Sequence, residues 1–238
     1  MYEIISDIGN YRELNEDYTS AKSIENKNLY VVADGMGGYN GGEIASKLAV
    51  DTIVNNFNNL HSYIDEEDFL RSSIVTANKL IYENSKSIQE LKGMGTTITA
   101  CIIDENNMTV ANVGDSCCFV IKKDYIKKIT KDHSYVQELL DNGTITNSEA
   151  ISHPQKNIIT RALGTDDFIE IDIFKIDLNN VLYILLCTDG LSNKVSPYEI
   201  YDVIKETNLQ DSLKNLVMKS KENGSRDNIT AILIKGEC

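Results

Sequence analysis

Tryptophan is missing from the 238 residues, proline occurs twice and histidine three times. Pro154 and Pro197 stand between candidate elements, and there is no Pro/Gly/Ser-rich linker, internal repeat or low-complexity tract to mark a boundary. One large globular domain over residues 1–238 is therefore expected, or at most two small ones. No C-x-x-C pair occurs among the five cysteines, and four of them (Cys101, Cys117, Cys118, Cys187) lie in apolar, strand-like runs. They read as small core residues, with Cys238 a free terminal thiol, in a reducing compartment. Basic residues are outnumbered, 23 against 36 acidic, for a net charge of -13. That balance argues against a nucleic-acid partner, because phosphates would be repelled. Long apolar runs are also absent: the longest, 181–187, is far too short to cross a bilayer, and the start MYEIISD has no basic leader. A cytoplasmic protein without membrane contact is expected.

What is present is a set of short runs rich in Ile, Val, Tyr and Thr. They predict strands at 2–6, 29–33, 96–103, 109–113, 117–121, 169–176, 181–187 and 229–234. Helical spacing predicts helices over 43–58 and 67–91, with later ones near 134–142, 197–206 and 210–222. In the second, Leu70, Ile74, Ala77, Ile81 and Ile88 recur on one face. The strands between 96 and 121 follow one another through short connections and should be antiparallel, and the helices come in groups instead of alternating with strands. This pattern predicts an α+β domain of antiparallel sheets covered by helices. The stretch 143–157 has little apolar periodicity and reads as a mobile loop or short helical flap.

Three apolar runs end alike: LYVVAD at Asp34, MTVANVGD at Asp115 and VLYILLCTD at Asp189. A fourth, ITAILI, is entered through SRDN, with Asp227 just before it. Taken singly, each reads most simply as turn chemistry, since Asp-Gly favours tight turns. Four at the ends of core strands point further, because strand ends converge on one rim and crowded carboxylates repel unless cations bind. Oxygen ligands without a His/Cys cluster suit hard ions such as Mg²⁺ or Mn²⁺, and paired ions of this kind serve phosphate-ester hydrolysis. The glycines after Asp34 fit the same chemistry: Gly35, lacking a Cβ, lets its carbonyl approach a metal. Nucleotide-loop frames fail, with Asn40 in place of the last glycine of G-x-G-x-x-G and Glu43 where a phosphate-binding lysine should stand. Upstream, SDIGNYRELNED supplies Asp17 and Arg12; alone, Arg12 reads as a surface residue, although a planar guanidinium suits a phosphoryl group.

The series SDIGNYRELNED, VVADGMGG, MGTT, ANVGDS, TKDHS, HPQKNIITRALG, LLCTDGLSN and SRDNIT resembles the bacterial branch of the metal-dependent protein phosphatases, the PPM or type 2C serine/threonine phosphatases. The matches run in order over almost the whole chain. The resemblance implies a four-layer αββα sandwich and two Mn²⁺ or Mg²⁺ ions per active site. It implies hydrolysis of phosphoserine and phosphothreonine by direct attack of a metal-bridging hydroxide. By position, Asp34 would bridge the metals, Gly35 would ligate one through its carbonyl, and Asp189 and Asp227 would complete the protein ligands. Asp115, with Asp189, matches a weaker third-metal site, Arg12 the phosphate-binding arginine, and Asp17 an acidic residue that orients water. Asn228 lies beside a ligand and can be structural only, and 143–157 matches a flap over the site. Expected partners are phosphorylated proteins, including a Ser/Thr kinase and its substrates, met by a monomer. Where eukaryotic members carry a histidine after Asp-Gly this chain has Met36, and where bacterial ones carry a histidine after the glycines it has Tyr39-Asn40. The leaving-group acid therefore has no obvious bearer; His133 and His153 fall in family motifs but fit structural roles equally, and His61 has no signal. Two alternatives remain at this point: a phosphatase of small metabolites, and a non-catalytic domain that only binds phosphoproteins. The presence of Asp34, Asp189 and Asp227 speaks against the second.

Overall fold

The computed structural model describes residues 1–37 and 41–236. Gly38, Tyr39 and Asn40 of the glycine stretch and the terminal Cys238 lie outside the described residues. In chain order the elements are β1 (Tyr2–Asp7), β2 (Asp17–Ile24), β3 (Lys27–Met36), α1 (Gly41–Asn56), α2 (Glu66–Ser87), β4 (Gly95–Thr96), β5 (Ile98–Asp104), β6 (Asn107–Val113), β7 (Cys117–Lys122) and β8 (Ile126–Lys128). There follow α3 (Tyr135–Asp141), α4 (Asn147–Ile151), β9 (Asp172–Asp177), β10 (Val181–Cys187), α5 (Asp189–Ser192), α6 (Pro197–Glu206), α7 (Leu209–Glu222) and β11 (Ile229–Lys235).

Two antiparallel sheets result. One has the order β1-β11-β10-β7-β8, the other β2-β3-β5-β6-β9 with β4 paired to β3. Strand periodicity explains how they stack. Alternate residues of β3 face opposite ways: Leu29, Val31 and Ala33 pack with Ala45, Ile53, Phe69 and Ile74 of α1 and α2. Tyr30 and Val32 instead meet Val120, Ile184 and Ile232 of the other sheet. On the second sheet, Phe119, Leu185 and Leu233 turn outward to Ile200, Leu213 and Leu216 of α6 and α7. Helices, sheet, sheet and helices thus make four layers with three apolar seams, the αββα arrangement expected.

Several boundaries differ from expectation. The polar strand β2, DYTSAKSI, was not foreseen; it is defined by its pairing with β3, which sets Asp17 opposite Asp34. The three-residue β8 was also missed. The expected strand 96–103 is broken at Thr97, because β4 pairs with Gly35 and Met36 while β5 pairs with β3 only as far as Val32. The ladder opens at Ala33 and Asp34. The expected strand 169–176 begins only at Asp172, since Ile169 and Ile171 are buried against the helical layer without a ladder partner. Helix α2 stops at Ser87 because Ile88 is extended (φ -112°, ψ 114°). Within 143–157 the structure places α4, opened by a capping box between Thr146 and Glu149.

Candidate active site

The loop from Ile8 to Glu16, the β3–α1 junction, the β6–β7 turn, the start of α5 and the residue pair before β11 meet at one end of the sandwich. A pocket of ≈ 320 Å³ there is lined by Arg12, Asp34, Gly35, Asp115, Asp189 and Asp227, with Glu16, Met36, Thr97, Asn157 and Ile159 on its walls. Asp17 sits beneath, buried, across the ladder from Asp34. The structure therefore brings together all seven residues singled out by sequence. Asp34 lies inside β3 and Asp189 opens α5, so neither is strictly a strand's last residue.

Each aspartate has a local reason for its place. Asp34 is held through its backbone: its amide donates to Thr97 Oγ1 at 3.0 Å, and its carbonyl accepts from the Thr97 amide at 2.9 Å and from Thr96 Oγ1 at 2.9 Å. Thr97 Oγ1 in turn lies 2.8 Å from Ser116 Oγ, which ties the Asp34 strand to the turn carrying Asp115. Asp17 accepts from Thr188 Oγ1 at 2.9 Å on one carboxylate oxygen, while Asn193 Nδ2 donates to one oxygen of Asp189 at 2.9 Å. The other oxygens, Asp17 Oδ1 and Asp189 Oδ1, are buried with no hydrogen-bond partner among the described residues. Asn228 has the structural role left open above: it accepts from the Glu16 amide at 2.9 Å and donates to the Ile8 and Leu14 carbonyls at 3.0 Å each. It clamps the loop that carries Arg12 and leads into Asp17 against Asp227. Gly35 is required by crowding, since a Cβ there would stand 2.1 Å from the Gly42 carbonyl oxygen and 2.6 Å from that of Glu16.

Electrostatically the pocket is an unfavourable place for its own charges. Burial raises the Asp17 carboxyl to about 7, the Thr230 and Thr188 hydroxyls only partly offsetting it and Asp189 and Asp227 adding repulsion. Burial and then Asp227 raise Asp189 to about 6. Asp34 is pushed well above the usual carboxylate range by burial and by Asp17, Asp189, Asp115 and Asp227. Asp115 moves the same way through burial, Asp189 and Asp132. Arg12 is the one cation lining this pocket among the described residues. Its guanidinium is bonded to Asp227 at 2.8 Å, with Glu16 at 3.7 Å, so in the cation-free protein it serves as the counter-ion of a carboxylate.

Among the described residues no group of three or more His, Cys, Asp or Glu side chains stands close enough to hold a metal ion by itself. Mg²⁺ and ions like it do not demand one, since they keep several waters and take only one or two carboxylates each. Orphaned buried oxygens, mutually repelling carboxyls and an oxygen-only donor set fit such ions.

No histidine lines the pocket. His133 is buried; its Nδ1 accepts from the Gly114 amide at 3.0 Å, so the proton resides on Nε2, 3.2 Å from Asp172. Burial lowers its pKa. Arg161 shares Asp172 at 2.9 Å, and the trio braces the stretch after the flap against the Asp115 turn. His153 lies against Tyr135 with ring centres 6.2 Å apart. Sequence reasoning missed Glu16, Thr97, Ser116, Thr188 and Asn193. Only Glu16, adjacent to Asp17, offered a signal; the others act through contacts between distant segments.

Residues 11–233 match the family model described as protein phosphatase 2C. The serine/threonine phosphatase stp of Listeria welshimeri is 35% identical, with 98% of this chain and 94% of that protein covered. Protein phosphatase PhpP of Streptococcus pneumoniae is 35% identical over 97% of this chain and 95% of its own. Among solved structures, serine/threonine phosphatase Stp1 from Staphylococcus aureus superimposes with a TM-score of 0.94 at 38% identity, covering 100% of this chain and 95% of that one.

Proposed function

The chain belongs to the protein phosphatase 2C family and is a serine/threonine protein phosphatase, and from that premise we propose that it removes phosphate from phosphoserine and phosphothreonine with a pair of Mn²⁺ or Mg²⁺ ions. The observation that carries the proposal is the gathering of Asp34, Asp115, Asp189 and Asp227 at one mouth with Asp17 buried beneath, two of the buried carboxylate oxygens having no hydrogen-bond partner among the described residues. Asp34, the Gly35 carbonyl, Asp189 and Asp227 would hold the two ions, and Asp115 with Asp189 a weaker third. When bound, the pair supplies what no side chain here can, a hydroxide at neutral pH for direct attack on phosphorus and charge to neutralise the phosphoryl oxygens.

The chain's own groups do the rest. Asp17 Oδ2 is pinned by Thr188, which leaves Oδ1 free to accept a hydrogen bond from the attacking water and fix its direction. Arg12 exchanges Asp227 for two phosphoryl oxygens, a bidentate geometry that its planar fork suits. Asn157 and Ile159, at the end of the 143–157 flap, close one wall and limit solvent beside the leaving group. Among the described residues no cysteine lines the pocket, in keeping with direct hydrolysis without a covalent phospho-enzyme. The substrate would be a phosphorylated protein, and a Ser/Thr kinase that writes the same marks its natural counterpart. Four buried free cysteines suit a reducing compartment such as the cytoplasm. We take residues 1–238 as one catalytic domain acting as a monomer.

The test is hydrolysis of phosphothreonine and phosphoserine peptides with Mn²⁺ or Mg²⁺, and with EDTA as control. Turnover that appears with the cation and vanishes with EDTA is expected. Undiminished turnover in EDTA would refute the metal assignment, and turnover of small phosphorylated metabolites in preference to peptides would refute the protein substrate.

A further inference from the structure

The active-site pocket has a neighbour. A hollow of ≈ 130 Å³ is lined by Lys156, Asn157, Lys194 and Arg226 together with Asp189 and Asp227. Asn157 and both aspartates also line the active-site pocket, so the two share a wall. The three cations come from three separate segments: the end of the flap, the turn after α5 and the turn before β11.

Many cations of this chain are paired, as in Lys47–Asp51 at 3.1 Å, Lys131–Asp141 at 2.6 Å and Lys175–Glu67 at 3.0 Å, and ones without an ion pair among the described residues, such as Lys92, Lys127 and Lys214, lie elsewhere. Lys156, Lys194 and Arg226 form no ion pair among the described residues. Lys156 Nζ reaches only the Ile151 carbonyl, at 3.4 Å. Arg226 lies over the ring of Tyr11 at 5.5 Å, which orients the guanidinium without neutralising it. The two aspartates of the shared wall are engaged elsewhere, Asp227 by Arg12 and Asp189 by Asn193. Three unpaired cations around one hollow, in a protein of net charge -13, mark a place for an anion.

We infer that this hollow receives a second anionic group of the substrate, a carboxylate or a second phosphoryl group on a residue close to the phosphorylated serine or threonine. The inference rests on the phosphatase function proposed above and names the substrate class of that site: acidic or multiply phosphorylated segments. Exposed lysines give modest, salt-screened attraction, so the effect is selectivity between substrates and not an added catalytic step.

The experiment uses the full chain with Mn²⁺ and three kinds of substrate. An aryl phosphate reports the catalytic centre alone. A phosphothreonine peptide set walks a single aspartate, phosphoserine or lysine along the flanking positions. The same peptides with a hydrolysis-resistant phosphonate report binding by fluorescence anisotropy. At one flanking position aspartate or phosphoserine should raise kcat/KM and tighten binding about 5- to 20-fold over lysine, the scale of a few exposed ion pairs. Phosphoserine exceeding aspartate would assign the hollow to phosphoryl groups, and equality to carboxylates in general; both support it. Lys194→Glu and Lys156→Glu should erase or reverse the preference while aryl phosphate turnover stays at the wild-type level, and Lys194→Arg should keep it. A flat response in the wild type, or a preference that survives both reversals, overturns the inference. Loss of turnover on every substrate would instead refute the phosphatase proposal, and the anisotropy series would still decide the subsite.

Discussion

Burial and four neighbouring carboxylates push the pKa of Asp34 well above the ordinary range, which favours its protonated form when no cation is bound. Asparagine has nearly the shape and charge of that protonated state. Asp34→Asn should therefore fold normally, with a melting temperature in EDTA equal to or above wild type. The same change removes a bridging ligand. Mn²⁺ should no longer raise the melting temperature, and phosphopeptide turnover should fall by more than about 100-fold, beyond the roughly 10–100-fold cost of losing a residue behind a ligand. Normal Mn²⁺-dependent turnover in the folded variant would sink the assignment. Arg12 gives the complementary case. Its loss removes a charge-assisted contact to phosphate worth about 1.5–3 kcal/mol, so kcat/KM should fall roughly 10- to 150-fold. Since Arg12 is also the counter-ion of Asp227 at 2.8 Å, Arg12→Ala should leave Mn²⁺ affinity unchanged or tighter by calorimetry. Weaker Mn²⁺ binding would make Arg12 a scaffold residue.

The loop from Ile8 to Glu16 has no helix or strand of its own, and Asn228 supplies three of its hydrogen bonds. Asn228→Ala would leave the Glu16 amide and the Leu14 carbonyl, both half-buried, without their partner, while the exposed Ile8 carbonyl turns to water, a cost of about 2–4 kcal/mol. For a chain of this length that lowers the melting temperature by roughly 4–16 °C. Turnover of an aryl phosphate should fall with it, because Arg12 rides on the loop and Asp17 follows it directly; a variant as stable and as active as wild type would show the clamp to be idle. None of this was visible beforehand, because Asn228 in SRDNIT is defined by what it reaches more than 200 positions away. The same limit explains β2. DYTSAKSI carries no apolar alternation, and only the β3 partner makes it a strand. By contrast β10 matched its expected bounds and β7 and β11 overran theirs by one residue, since their strongly apolar runs are buried between sheet and helix layers. The stretch 169–171 shows the opposite error: alternating isoleucines report burial, and burial there comes without a ladder.

The whole molecule sets its acidic residues against its stability at one end of the sandwich, and this yields a prediction with a definite sign. In the absence of cations Asp17 titrates at about 7 and Asp189 at about 6. Asp34, Asp115 and Glu16 are also shifted upward, burial being the leading cause for each. In the unfolded chain such carboxyls titrate near 4. Between about pH 4 and pH 7 the folded state therefore holds protons that the unfolded state has released. Stability must fall as pH rises through that window. His133 opposes the trend, because burial lowers its pKa and the unfolded chain binds the extra proton, but it is one group against five. Asp7 and Asp172, shifted downward, act below this window. In EDTA the melting temperature should thus be lower at pH 7 than at pH 5, by about 2–4 °C for each kcal/mol involved. Cations reverse the slope, since they bind the ionised carboxylates and compete with protons for them; at 100 times the dissociation constant one bound ion contributes about 2.7 kcal/mol. The Mn²⁺-induced rise should accordingly be large at pH 7 and small at pH 5. Calorimetric scans at the two pH values, with EDTA and with Mn²⁺, decide the matter: a melting temperature in EDTA that does not change, or a Mn²⁺ effect equal at both, would mean that the carboxylate cluster is not where the ions bind.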